Sequence, residues 1–307
     1  MTGPRGTSRR PFSESLSVVW TRGHGCAELS ELLDDDPRKI AGGDLAAECI
    51  DNRADLLVAR KLPPASFDLV NVAVPIDFQP EKVTRVVAAV GGGPHSLLAA
   101  SVAARIGRSL GVPAEMVSAE VPSGEEGGAS AVLAEIESSV PDIPGRVVEV
   151  DSLDRLLEGL DEGTLVVLGA SGGSWLRRSF FGPGARLRRT AQTGVVVVRS
   201  APDRVFRFMG EPVYVAPLRE AEDTLRFHEE RILAVAEEGR LVGVVRREKL
   251  VGAGSTPVGS LMEEAVSVRV DDTIEDAWEL EPDFGSDPIP VTDREENLVG
   301  GLSLPVG

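Results

Sequence analysis

"RVVAAVGGGPHSLLAASVAARIGRSLG", residues 85–111, carries the plan of the middle of the chain. Arg85–Val90 is an apolar, β-branched run too short for a buried helix, and it reads as a buried strand. Gly91-Gly92-Gly93 interrupt it. From Ser96 the apolar residues recur at helical spacing and stop on Gly111, the residue type that most often ends a helix. Outward from this unit, "AEMVSAEV" (114–121), "RVVEV" (146–150), "TLVVLGA" (164–170) and "GVVVV" (194–198) read as further strands. "ASAVLAEIESS" (129–139), "SLDRLLEGL" (152–160) and "ARLRRTAQ" (185–192) read as the helices between them. Short apolar runs alternating with helices predict an α/β fold, a five-stranded doubly wound parallel sheet over residues 80–201. Ligands of such sheets lie at the carboxyl ends of the strands.

Two regions flank it. Residues 1–79 hold strand candidates in "LSVVW", "ADLLVAR" and "LVNVAV", with helical sequence in "AELSELL" and "GDLAAECI". In "CIDNRADLLVAR" a helix enters what looks like a fourth strand, so the segment reads as a degenerate half of a similar α/β domain. Residues 211–307 read as α+β and contain an internal repeat. "ILAVAEEGRLVGVVRREKL" (232–250) and "IPVTDREENLVGGLSLPVG" (289–307) both run strand, acidic turn, "LVG", apolar strand, about 57 positions apart. Between them, "DDTIEDAWEL" (271–280) starts like a helix, with acids where the dipole favours them.

The 307 residues carry a formal net charge of -17. Such a field repels nucleic-acid phosphates and anionic lipid, so neither is an expected partner. Only two cysteines occur, with no CxxC spacing, which argues against a disulfide scaffold or a cysteine zinc site. No apolar run reaches the ~20 residues needed to span a bilayer, and the start lacks the apolar core of a secretory signal. The expectation is a cytoplasmic protein without membrane insertion.

The loop "GASGGSWLRRSFFGPGA" (169–185) holds the densest candidate chemistry. Glycines let backbone N–H groups approach phosphate oxygens, and a helix starting directly afterwards adds its dipole. Gly169, Gly172 and Gly173 shape the turn, and Gly182 and Gly184 open the helix. Arg177, Arg178, Arg186, Arg188 and Arg189 form a basic exception on an acidic chain, able to neutralise phosphates or to pair with surrounding acid. Two readings stand: a phosphate cradle, or a plain strand-to-helix connection.

Residues 80–201 resemble the universal stress protein family. Its ATP-binding members carry glycine, two residues, glycine, nine residues, then glycine with Ser or Thr; here Gly169, Gly172 and Gly182 keep the spacing. "VVAAVGGGPHSLLAA" is similar to the family's opening strand and helix, and Ser96 matches its serine. Gly91 stands where binders have Asp, and Pro183 where they have a hydroxyl. The resemblance implies ATP or a related adenine nucleotide, with magnesium only alongside it. Val90, Gly91, Gly92, Ser96 and Val121 then lie at the nucleoside end, and the loop glycines at the phosphates. The family also pairs through its last strand, which implies a homodimer edge at Gly194–Val198.

Residues 211–307 resemble a degenerate tandem pair of cystathionine β-synthase (CBS) motifs, truncated at the end. Ligand-binding motifs follow the glycine-apolar strand with Ser or Thr and then Asp. Here Gly243 leads to Arg246 and Lys249, and Gly300 leads to Ser303 and Val306. Lysine only donates, so it does not replace a carboxylate that holds ribose hydroxyls. The pair offers a second route to a homodimer.

His24, His95 and His228 lie far apart without metal spacing, and His95, after the triple glycine, reads as facing a ligand or, more simply, as a surface residue at a helix start. "ELLDDDP" reads as a hydrated acidic turn. No GxSxG elbow accompanies Ser171 or Ser174, so no catalytic residue is assigned. The expected function is a non-catalytic regulatory or stress-response protein that binds an adenine nucleotide. The alternative is a nucleotide-free interaction module with an unknown protein partner, such as the soluble part of a transporter or channel. A slow ATP hydrolase is a third reading, one that lacks a visible general base.

Overall fold

A computed structural model of the chain describes residues 16–120, 128–149, 160–170 and 193–304. They fall in two compact units, Met1–Ala201 and Pro202–Gly307. Among the described residues no helix is long and apolar enough to cross a membrane.

The first unit is mixed α/β around a nine-stranded sheet rich in parallel pairs. Its first half contributes β1 (Val18–Trp20), α1 (Cys26–Leu33), β2 (Arg38–Lys39), α2 (Leu45–Asp51), β3 (Leu56–Val58) and β4 (Asn71–Ile76). Its second half contributes β5 (Arg85–Ala89), α3 (Pro94–Leu110), β6 (Ala114–Glu120), α4 (Gly128–Ser139), β7 (Gly145–Glu149), β8 (Thr164–Gly169) and β9 (Val195–Arg199). The strand order is β2-β1-β3-β4-β9-β8-β5-β6-β7. In the second half the five strands are parallel, and β5 lies centrally with β6 and β7 on one side and β8 and β9 on the other. The first half is parallel within itself. Its α2 enters β3, as the "CIDNRADLLVAR" pattern predicts.

The two halves meet where β4 runs antiparallel to β9, from Val72 opposite Arg199 to Ile76 opposite Val195. A glycine makes the close approach possible. Gly194 has φ of 101°, and a Cβ there would lie 2.6–2.7 Å from the carbonyl oxygens of Asp77 and Ile76. The Gly194–Val198 strand, expected as an intermolecular edge, is therefore paired on both sides within its own chain. Val195–Val198 face β4 on one side and β8 on the other, so this strand lies inside the sheet and not at its edge.

Helices α1, α3 and α4 bury one face of the sheet. Leu29, Leu98, Ile106, Leu133 and Ile136 meet Leu56, Val86, Met116, Leu165 and Val167 in one core. The opposite face is buried too, with Val166, Leu168, Val195 and Val197 packed by Leu62 and Leu160. Strands buried on both faces are the rule for parallel sheets, which explains the uninterrupted "LVVL" and "VVVV" runs. Each such side chain contributes about 1.5–3 kcal/mol by leaving water. The acidic turn is less idle than its sequence suggests, because Asp34 Oδ2 accepts the Val18 amide at 2.9 Å and pins the start of β1.

The second unit is two copies of one motif. The first copy has β10 (Tyr214–Val215), α5 (Ala221–Phe227), β11 (Ile232–Glu237), β12 (Arg240–Arg246) and α6 (Arg247–Leu250). The second has β13 (Val268–Arg269), α7 (Ile274–Trp278), α8 (Glu281–Phe284), β14 (Ile289–Thr292) and β15 (Leu298–Leu302). Each copy is a three-stranded sheet with one parallel and one antiparallel pair. The acidic "DDTIEDAW" start is a capping box, in which Thr273 and Asp276 satisfy each other's amides.

The segment that leads into each copy packs on the other copy. Val205 donates its amide to Asp272 O, and Val258 donates to Arg219 O; donors and acceptors are each 53 positions apart. Gly210 bridges to Gly301 of the second hairpin, and Glu263 bridges to Val244 of the first. The two glycines of the "LVG" strands accept this crossing. A Cβ on Gly243 would meet Met262 and the Glu263 oxygen, and one on Gly300 would meet Met209 and the Gly210 oxygen.

Candidate functional site

The carboxyl ends of β5 and β8 define the candidate site in the first unit. They are the strands between which the order of the second half reverses, the place where open α/β sheets bind ligands. β5 ends at Ala89, and the chain turns through Gly91, Gly92 and Gly93 into α3. Gly92 and Gly93 hold φ of 92° and 75°, a region that glycine adopts without strain. Among the described residues a Cβ on Gly91 or Gly93 would meet nothing within 4 Å, while one on Gly92 would touch Val132 at 3.4 Å.

Two residues assigned to the nucleoside end behave otherwise. Ser96 is buried; its hydroxyl donates to Gly92 O at 2.9 Å and accepts the Gly91 amide at 3.0 Å. The only hydroxyl proton thus closes the glycine turn from behind and is not available to a ligand. Val90 extends the β5–β6 ladder through Val117 O and buries its side chain in the core, leaving only backbone toward the rim.

Gly169, the last residue of β8, stands against α3. A Cβ on it would lie 2.8 Å from His95 Cβ, so glycine is needed to bring the strand end beside the helix start. His95 is half-buried, and its Nδ1 accepts the Ser200 amide at 2.9 Å. This corrects the surface reading of His95. The bond fixes the neutral ring as its Nε2–H tautomer. The motif's spacing located Gly169 but gave no sign of its histidine neighbour, since the contact joins residues far apart in sequence.

Val121, Gly172, Gly173, Gly182, Gly184, Arg177, Arg178 and Arg186 lie outside the described residues, as do Arg188, Arg189 and Pro183. What the structure describes of the site is the turn at 91–93, Gly169 and the His95–Ser200 contact.

In the second unit, Arg246 and Lys249 come together, as their spacing across the end of β12 predicts. They converge on one carboxylate. Glu263, from the segment leading into the second copy, accepts from Arg246 Nε at 3.4 Å and Lys249 Nζ at 2.7 Å. The hydrogen bond from Lys249, with Arg246 in support, holds the Glu263 carboxyl below the usual carboxylate range, against the opposing effect of desolvation. The basic pair is therefore a clip on a part-exposed acid of the same unit. Among the described residues the second copy has no counterpart. Gly210 bridges where Glu263 does, Ser303 stands exposed at the position of Arg246, and Val306 lies outside the described residues. The repeated methionine at 209 and 262, followed by Gly210 and Glu263, is the sequence signal for that position.

Among the described residues no group of three or more His, Cys, Asp or Glu side chains is placed to hold a metal ion. Burial raises the thiols of Cys26 and Cys49 to about 11 and about 12, so both remain protonated core residues.

No family model matches the chain, and no curated protein sequence does. Its structural neighbours are CBS-domain pairs. The cytosolic domain of the Mg2+ channel MgtE in complex with ATP shares 31% identity at a TM-score of 0.30, over 33% of this chain and 46% of that one. A CBS-domain pair/ACT-domain protein of Thermotoga maritima shares 23% identity at 0.31, over 33% of this chain and 89% of that one. The CBS-pair protein CBSX2 of Arabidopsis thaliana shares 24% at 0.30, over 34% and 89%. This chain thus spans about half of the MgtE domain and most of the two smaller proteins, and each similarity is confined to about a third of its own length.

Proposed function

We propose that the chain is a non-catalytic regulatory protein in which a universal-stress-like sheet binds an adenine nucleotide and a CBS-like pair responds. The observation that carries the reading is the Gly91–Gly93 turn. It lies at the strand-order reversal of a parallel sheet, has positive φ at two positions, and among the described residues leaves space beside Gly91 and Gly93. A triphosphate needs backbone donors at close range, and a turn free of side chains permits that approach. Gly91 through Gly93 and Gly169 would hold the ligand from the described rim, with the loop at 170–185 as the assigned phosphate side. Ser96 serves by shaping the turn, and the carboxylate that would take ribose hydroxyls is replaced by Gly91. Modest affinity is the expected consequence.

The test is a thermal-shift titration with ATP, ADP and AMP on wild type and on Gly91→Val. Among the described residues a Cβ at that position meets nothing within 4 Å, so the variant is expected to fold while adding bulk above the turn. A saturable rise in melting temperature for wild type, lost in Gly91→Val, supports the site. At a ligand concentration one hundred times Kd the stabilisation is about 2.7 kcal/mol. No shift at millimolar nucleotide sinks it.

One observation favours the second reading, a nucleotide-free interaction module. The first repeat copy exposes Leu218, Phe227 and Val251 at 83%, 66% and 67%. A flat titration leaves that reading standing.

A further inference from the structure

Three consecutive residues end the first unit, and each is pinned by a polar contact from elsewhere in it. Arg199 donates to the carbonyls of Pro63 at 2.9 Å and Phe67 at 2.7 Å. The Ser200 amide donates to His95 Nδ1 at 2.9 Å. The Ala201 amide donates to Oδ1 of the buried Asn71 at 3.0 Å, whose Nδ2 donates in turn to Asp55 O. Beyond Ala201 the chain passes to the second unit.

Of these pins only His95 belongs to the helix that starts at the glycine turn. It lies two residues after Gly93, on the first turn of α3. On its other side it touches Gly169 so closely that a single added carbon would collide at 2.8 Å. There is no slack between the end of β8 and this histidine. Displacing the first turn of α3 therefore moves the imidazole, because a close-packed neighbour transmits a shift instead of absorbing it.

We propose that His95 is a positioning residue that couples occupancy of the glycine turn to the exit segment 199–201. In the free protein the Nδ1–Ser200 bond holds the segment closed. A phosphorylated nucleoside seated over Gly91–Gly93 favours an arrangement in which the first turn of α3 shifts, the bond to Ser200 opens and the exit segment loosens. The ligand acts by binding the open arrangement more tightly than the closed one. The proposal rests on the nucleotide reading for its ligand, but the latch itself does not.

Hydrogen–deuterium exchange of the full chain, followed at the peptide containing residues 199–201, separates the two. Without ligand, His95→Ala is expected to speed exchange of this peptide about fivefold, the usual equilibrium weight of one hydrogen bond. His95→Asn, which retains an acceptor oxygen near the Nδ1 position, is expected to restore slow exchange. Gly169→Ala, which pushes on the histidine, is expected to speed it as His95→Ala does. Saturating ATP, with binding confirmed by equilibrium dialysis, is expected to speed exchange in wild type and to add nothing in His95→Ala. If His95→Ala exchanges like wild type, there is no latch. If bound ATP leaves the wild-type peptide unchanged, the latch is structural and the coupling is wrong. If ATP does not bind, the nucleotide reading and the coupling fail together, while the ligand-free variants still decide the latch.

Discussion

Glu263 shows how one residue reassigns its neighbours. Arg246 and Lys249 stand where the resemblance to ligand-binding CBS motifs implies a hydroxyl and a carboxylate, and in isolation two cations look like a phosphate seat. With Glu263 between them one of the two positive charges is already answered and both side chains are held. The sign of the linkage follows from the lowered carboxyl. A carboxylate stabilised in the fold supports the folded state above the ordinary glutamate value of about 4.3. That support fades as pH falls through the lowered value. A carbon-detected NMR titration should place the Glu263 transition below the ordinary value, and Lys249→Met should move it upward. A wild-type transition at the ordinary value would mean that the clip does not form in solution. The cations were legible as a pair from their spacing. Their partner was not, because it arrives from the other repeat, and no local pattern records that contact. Ser96 is a similar case, since sequence spacing gave its place at the helix start but not the direction of its hydroxyl.

Single elements were the most legible part of the chain. The strand at 85–89, the helix that stops on Gly111 and the two "LVG" hairpins all lie where apolar periodicity puts them. Pairing between distant elements was not legible. "LVNVAV" and "GVVVV" are apolar on both faces, so nothing in either distinguishes a strand paired within its chain from one at an open edge. The crossing of the repeat leads was hidden for a related reason, although the glycines that permit it were in view. Those glycines give a test. A Cβ on Gly243 would sit 2.6 Å from the Glu263 carbonyl oxygen, which is backbone and not a flexible side-chain end. Gly243→Ala should therefore destabilise the second unit by about 1–3 kcal/mol, the usual cost of overpacking. Urea denaturation followed by Trp278 fluorescence measures it. An unchanged midpoint would show that the lead does not lie on that hairpin.

At the scale of the whole molecule the net charge of -17 sets the response to salt. Screening shortens from roughly 10 Å at 0.1 M salt to roughly 3 Å at 1 M. It weakens exposed ion pairs such as Arg108–Asp142 and Arg240–Glu296, each worth at most about 1 kcal/mol. It also relieves self-repulsion across the acidic surface, which acts over many more charges. Relief should win, and the urea midpoint should rise between about 0.1 M and 1 M potassium chloride. A fall would mean that the ion pairs dominate. Composition made that expectation legible before any fold was known. The antiparallel seam between β4 and β9 was not, and it has one more effect. Because the two halves run in opposite senses, the outlets of their strands point toward opposite poles of a single continuous sheet. The polypeptide departs from only one pole, the one flanked by Gly91–Gly93 and Ala201. An architecture that resembles a symmetric couple is thus polarised, with one pole beside the departing chain and the other remote from it.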